Sequence, residues 1–182
     1  MPFEYLGAFL KDKNVATVTP SSKYVTRRLL KALALGGSET IVEYGPADGV
    51  LTGPMLSALG PQGRLVTIER NPELHAALVR RLRDPRLHAV EGDVRSVVEI
   101  LAGLGIEKVD RVVSGIPFTF LKPHERGRLI EMTRDLLTPG GRFVAYQFTT
   151  ILKNALELFF PAVKVEYELR NLPPLFVFTC RS

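Results

Sequence analysis

Short apolar runs rich in β-branched residues alternate with helical patterns along this chain of 182 residues, and that alternation restricts the fold more than any other feature. The runs are "TIVEYG" (40–45), "RLVTIE" (64–69), "RLHAVEG" (86–92), "VDRVVSG" (109–115) and "RFVAYQF" (142–148). Helical patterns fill 52–59, 72–83, 94–102, 123–137 and 151–159. Strands joined through single helices imply right-handed crossovers and a parallel sheet covered on both faces. Two further strands, at 162–168 and 175–180, have only "RNLPP" between them and predict an antiparallel hairpin. Pro72 after Asn71 marks a helix start, and "TPGG" stops the helix before it.

Composition narrows the class. A hydrophobic share of 46% and a charged share of 24% fit one globular domain rather than a disordered chain. The single cysteine, Cys180, excludes an internal disulfide framework and a cysteine zinc site, and suits a reducing cytoplasm. His75, His88 and His124 are too scattered for a metal site, so no metal is expected. No run approaches the roughly 20 apolar residues of a membrane span. The first residues, "MPFEYLGAFLKDK", lack a basic leader, so no signal peptide is expected. A net charge of +5 suits an anionic partner, either RNA or acidic lipid.

The first strand runs into the turn Gly45-Pro46-Ala47-Asp48-Gly49, where an open α/β sheet places its ligand. No Gly-Lys-Ser/Thr follows, which excludes a P-loop. Val50 stands where a dinucleotide fingerprint needs its third glycine, the one that allows close helix packing beside a pyrophosphate. Glu43, two residues before the first glycine, would repel a pyrophosphate but suits a cation. Glu69 closes the second strand, where a carboxylate can accept both ribose hydroxyls. Asp93 follows the third strand, where it could accept an adenine amino group. Either acid alone reads equally as a strand-end acid or helix cap. Three strand ends carrying acids in chain order point to S-adenosylmethionine, a cationic adenosine cofactor without phosphate.

Glu43-x-Gly45, Glu69, Gly92-Asp93 and "VDRVVSGIPF" together resemble a class I methyltransferase over nearly the whole chain. The resemblance implies an α/β fold: a single Rossmann-like seven-stranded sheet with helices on both faces and a reversed C-terminal hairpin. The methyltransferase domain would span 38–182, with an N-terminal helical segment, 1–37, over the cofactor and substrate site. The expected cofactor set is Ser22, Glu43, Tyr44, Gly45, Ala47, Gly49, Glu69, Arg70, Gly92, Asp93, Val94 and Ser114. Ala47 departs from the family's usual glycine, which is tolerable if its backbone stays at negative φ.

The methyl acceptor is read from "SGIPFTFL", which faces the sulfonium in this family. Ile116-Pro117-Phe118 resembles the end of the Asn-Leu-Pro-Tyr element of rRNA adenine dimethyltransferases, but Gly115 replaces the asparagine that orients the target amine. Those enzymes also carry a further helical RNA domain, and this chain ends with its sheet. "TPSSKYVTRRLLKAL", "SGIPF", "LTPGGRFVAYQFT" and "RNLPPLFVF", in order across 19–178, are more similar to bacterial peripheral phospholipid N-methyltransferases. That resemblance implies stepwise methylation of phosphatidylethanolamine by a cytoplasmic enzyme at the inner face of the membrane. Thr150 and Ile151 stand where that family has tyrosine and glycine.

Gly115, Ile116, Pro117 and Phe118 are the expected substrate residues, with Phe118 walling the channel from water. Tyr24 and Tyr146 are the candidate catalytic headgroup contacts; either reads equally as a buried aromatic. Phe3, Leu6, Phe9 and Leu10 would give an N-terminal helix an apolar face. From Ser22 to Leu35, Val25, Leu29, Ala32 and Leu33 share one face opposite Lys23, Arg27 and Lys31. Such basic amphipathic helices lie in an anionic membrane interface, or pack on the sheet with the basic stripe solvated.

Overall fold

The structure, a computed structural model, describes residues 23–171 and 173–182. Ser22 and the Phe3–Leu10 segment lie outside them. A helix α1 (Lys23–Leu33) is followed by β1 (Thr40–Tyr44), α2 (Thr52–Ala58), β2 (Arg64–Glu69), α3 (Pro72–Arg81) and β3 (Leu87–Glu91). Then come α4 (Val97–Gly103), β4 (Val109–Ser114), α5 (Pro123–Leu136), β5 (Leu137–Gln147), α6 (Leu152–Glu157), β6 (Ala162–Glu168) and β7 (Leu175–Arg181). The strands form one seven-stranded sheet in the order β3-β2-β1-β4-β5-β7-β6. β1 to β5 pair in parallel, while β7 runs antiparallel to both β5 and β6. The order reverses at β1, which therefore borders the ligand crevice of such a sheet.

The sheet buries both faces, as a parallel sheet must. Val42, Tyr44, Ile68, Val112 and Phe143 pack under α4, α5 and α6. Ile41, Leu65, Val113, Val144 and Val177 pack under α1 and α2. β5 starts earlier than its apolar run suggests: Leu137 pairs with Val109, and the register then jumps so that Arg111 faces Arg142. The residues between bulge outward with Gly140 at φ +76°, a conformation glycine adopts without strain. The "TPGG" signal thus marks a bulge inside a strand as well as the helix stop.

The apolar side of α1 settles against the sheet. Val25, Leu29, Ala32 and Leu33 are buried in the second core cluster, so this helix cannot also insert its apolar face into a membrane. Lys23, Arg27 and Lys31 remain exposed. Arg111 and Arg142 clamp its C-terminal carbonyls, donating to Leu33 O at 2.6 Å and Ala32 O at 2.8 Å. Leu29→Ala should therefore lower the unfolding free energy by about 2–5 kcal/mol. Lys23→Ala should leave it nearly unchanged, as urea denaturation of both variants would show.

Candidate active site

β1 delivers the chain into a turn that needs three left-handed residues: Gly45 at φ +67°, Ala47 at +51° and Gly49 at +87°. A Cβ on Gly45 would lie 2.8 Å from Ile116 Cγ2, and one on Gly49 2.5 Å from Leu78 Cδ1. Backbone approach as well as φ therefore selects glycine at both. Ala47 does not keep the negative φ expected for it. Its N–H is held by Glu69 Oε2 at 3.2 Å while Gly49 N donates to Pro46 O at 3.0 Å, and together these hold residue 47 in the left-handed region. For a residue with a Cβ this costs roughly 1–2 kcal/mol.

The acids converge on this turn. Glu43, 2% exposed, accepts a 2.6 Å hydrogen bond from the Thr52 hydroxyl on α2. Burial pushes its carboxyl up to about 7; the Thr52 bond opposes that and the nearby Glu69 charge adds to it. Glu69 is also buried and accepts from Asn71 N at 2.8 Å. Gly92 N donates to Glu69 O at 2.9 Å, which brings the end of β3 alongside. Asp93 caps the 3-10 turn that begins at Val94, accepting from Arg95 N at 2.9 Å. The Arg95 guanidinium bonds both its oxygens and holds its carboxyl below the usual range. Arg70 stands exposed 3.9 Å from Asp93. At the end of β4, Ser114 Oγ is buried without a hydrogen-bond partner among the described residues, an arrangement that favours a ligand.

Gly115 has a steric reason of its own. A Cβ there would lie 2.3 Å from the Tyr146 hydroxyl and 2.8 Å from Cζ of the same ring. The phenol of β5 thus fills the space that an asparagine side chain would need. Burial, and then the Glu43 charge, raise the Tyr146 pKa well above a free phenol's, so the hydroxyl stays protonated. Gln147 pins the loop after β4: its amide nitrogen donates to Ile116 O at 2.8 Å, and its oxygen accepts from Phe118 N at 3.3 Å. Arg126 adds a bond to Phe118 O at 3.2 Å.

Glu43, Gly45, Ala47, Gly49, Glu69, Arg70, Gly92, Asp93, Val94 and Ser114 therefore gather at the carboxyl ends of adjacent strands, with Gly115, Ile116, Pro117 and Tyr146 beside them. Others do not join them as expected. Tyr44 points to the opposite face of the sheet from Glu43, because strand side chains alternate; its hydroxyl meets Thr133 Oγ1 at 3.1 Å inside the core, and only its carbonyl serves the site, by accepting from Gly115 N. Phe118 is 1% exposed and packs edge-on against Phe143, with centroids 6.3 Å apart. It is a core ring and does not wall a channel; the 3-10 turn after Pro117 turns it inward. Tyr24 lies under the Arg170 guanidinium at 4.4 Å, on the β6–β7 side of α1. Thr52, Arg95 and Gln147 were not anticipated. The signals were a hydroxyl at the helix start after the glycine turn, and the amide after Tyr146.

A mainly parallel sheet that reverses order beside a glycine turn, with buried acids in place of phosphate-binding groups, defines a Rossmann-like class I methyltransferase. The chain is 30% identical over 183 residues to the ornithine lipid N-methyltransferase of Singulisphaera acidiphila, an alignment covering 99% of this chain and 95% of that protein. The chain accordingly belongs to the class I S-adenosylmethionine-dependent methyltransferases, in the family that contains this relative. It is 30% identical over 121 residues to ribosomal RNA small subunit methyltransferase A of Synechococcus, but spans only 43% of that protein. In fold it is similar to the 1,6-didemethyltoxoflavin-N1-methyltransferase of Burkholderia thailandensis, with a TM-score of 0.73, 18% identity, and coverage of 98% of this chain and 85% of that one. No protein-family model matches the chain.

The backbone at residue 47 supplies a direct check. Ala47→Gly should raise the unfolding free energy by about 1 kcal/mol, because the left-handed conformation no longer opposes a Cβ. A shift of the thermal midpoint by a few degrees upward is the expected reading.

Proposed function

We propose that this enzyme methylates the amine of a membrane-lipid head group, phosphatidylethanolamine or a chemically related amine lipid, at the inner membrane surface. The observation that carries the reading is the Gly115–Tyr146 contact, which leaves no room for the amide side chain on which the adenine-methylating resemblance depends. The relative that acts on ornithine lipid supports an amine-bearing lipid as the acceptor class. An apolar rim supports it as well: Phe120 is 57% exposed beyond β4, and Phe148 and Ile151 are exposed beyond β5, at the same end of the sheet. Among the described residues no helix is long and apolar enough to cross a membrane.

The residues present fit S-adenosylmethionine. Buried Glu43 and Glu69 suit a cation and a ribose diol, the unpartnered Ser114 hydroxyl offers a further bond, and the Gly45–Gly49 turn allows close backbone approach. Asp93, with Val94 and Gly92 shaping its turn, would take the adenine amino group, and Arg70 would cover the ribose side. When bound, the cofactor supplies a methyl group on a sulfonium and leaves as a neutral thioether. The chain's part is to hold the amine in line and exclude water. The protonated Tyr146 hydroxyl would accept a hydrogen bond from the amine and aim its lone pair. Gln147 and Arg126 keep the Ser114–Phe118 backbone rigid beside it.

Glu43 makes cofactor affinity pH-dependent. Its raised pKa means the empty protein favours the neutral acid, so its contribution to stability is full at low pH and is lost as pH rises through about 7. A cationic ligand needs the opposite form. Affinity for S-adenosylmethionine should therefore fall as pH drops below about 7, by up to about tenfold per unit, and Glu43→Gln should bind weakly with a flat profile. Calorimetric titration across that range reads both.

Transfer itself is tested with labelled S-adenosylmethionine offered to phosphatidylethanolamine vesicles, ornithine lipid vesicles and total RNA. Label should enter lipid, and Tyr146→Phe should lose roughly tenfold in kcat while cofactor affinity holds, the loss of one aligned hydrogen bond. Label entering RNA alone would overturn the lipid reading.

A further inference from the structure

Away from the methyl-transfer crevice, α1 and the β6–β7 edge enclose a groove of about 280 Å³. Its charges are unevenly matched. Glu168 and Glu166 are already taken: Arg170 reaches Glu168 at 2.8 Å, Arg28 reaches Glu168 at 2.9 Å and Glu166 at 3.0 Å, and Lys164 reaches Glu166 at 3.1 Å. Bonds from Arg170 and then Arg28 hold the Glu168 carboxyl down to about 2. That leaves Arg27, Lys31, Arg142 and Arg181 lining the groove, with no acidic partner among the described residues.

The floor between these cations carries an orphan. Thr179 is 9% exposed, lines the groove, and its Oγ1 has no hydrogen-bond partner among the described residues. It pairs in register with Val144 and Lys164, while Arg181 pairs with Arg142. Residues directly opposite on antiparallel strands project to the same face. Thr179, Arg142, Arg181 and Lys164 therefore face α1 together, and Arg27 and Lys31, one helical turn apart, overhang them. Arg142 spends one nitrogen on Ala32 O and keeps the rest of its donor fork. An unbonded buried hydroxyl and adjacent guanidiniums without an anion are each unfavourable, and one oxyanion relieves both. Burial, Arg181 and Arg111 lower the proton affinity of Arg142, which the same anion would restore.

We propose that this end of the groove is an anion site for a phosphate-class oxyanion, seated on Thr179 and ringed by Lys31, Arg142 and Arg181. Arg142 precedes Tyr146 by four residues on β5, so the site stands roughly 13 Å from the phenol along the strand. It is separate from the cofactor acids and does not depend on which molecule accepts the methyl group. The oxyanion would be either the phosphodiester of a lipid or a free phosphate.

Direct binding tests this on the full chain. Inorganic phosphate and dihexanoyl phosphatidylglycerol, the latter below its micelle-forming concentration, are titrated calorimetrically at constant ionic strength. The comparison set is wild type, Thr179→Val, and the double variant Lys31→Glu with Arg181→Glu. Wild type should bind, Thr179→Val about fivefold more weakly, and the double variant not measurably. All three should bind S-adenosylhomocysteine alike, which separates loss of the site from loss of the fold. Tighter binding of the short-chain lipid identifies a lipid phosphodiester; tighter binding of inorganic phosphate identifies a free phosphate. Absence of binding in wild type, or equal binding by all three proteins, overturns the proposal. Because the readout is binding, failure of methyl transfer to lipid would leave this result untouched.

Discussion

Glu43 opposes the fold whenever it is ionised, since it is buried at the end of the central strand and no cation among the described residues pairs with it. The Thr52 hydroxyl offsets part of that desolvation, and the nearby Glu69 charge worsens it. An empty site therefore favours the neutral acid, and a cationic ligand reverses the preference. Much around it follows. Ala47 is held in a strained conformation by Glu69, so the turn is drawn toward the second carboxylate. Burial, and after it the Glu43 charge, keep the Tyr146 phenol protonated. One buried carboxylate thus links the side of the crevice suited to the cofactor with the side suited to the acceptor.

Topology separates the acids of the crevice from the unpaired cations of the groove. Acids sit at the carboxyl ends of β1, β2 and β3, where parallel strands all finish on one side. The reversed strand β7 brings its own terminus, with Thr179 and Arg181, beside the start of β5. Its reversal places Arg181 opposite Arg142 on the face beneath α1. The helix closes over them because Arg142 and Arg111 bind its last carbonyls, a favourable arrangement for cations at a helix C-terminus. The basic stripe of α1 thereby joins cations from strands far away in sequence, and a charge pattern that looked like a solvated helix face becomes one wall of a groove.

Periodicity made much of the fold legible. β2 and β6 occupy their expected residues, and the hairpin at the end is antiparallel as its short connection required. The acids at the strand ends were legible too, because position at the end of a strand is a local property. What stayed hidden depended on contacts. The left-handed φ of Ala47 comes with a bond to Glu69, 22 residues away in sequence. Phe118 reads as a channel wall beside Pro117, yet Phe143 gives it a better place in the core. The apolar stripe of α1 is equally compatible with membrane and sheet, and the free energy of burying it at Val144 and Val177 decides. Tyr44 is the exception, since alternation along β1 already set it against Glu43.

Gly115 shows how a substitution can be misread when its neighbour is unknown. Taken alone, glycine in place of an asparagine looks like a loss, because no atom remains to orient an amine. In three dimensions the position is full: the Tyr146 hydroxyl stands where the side chain would begin, and a Cβ would collide with it. The two residues are thus linked by exclusion. A protonated phenol brings a hydroxyl oxygen to the end of β4 from the opposite wall, carried on a strand that Gln147 ties to the Ile116 carbonyl. A phenol is larger and more apolar than an amide, so it leaves a narrower space with a single polar atom. Such a space suits a flexible amine presented on a tether better than a flat base, which needs two open faces to stack. The glycine is then the condition for the tyrosine, and the proposed acceptor class rests on the pair rather than on either residue.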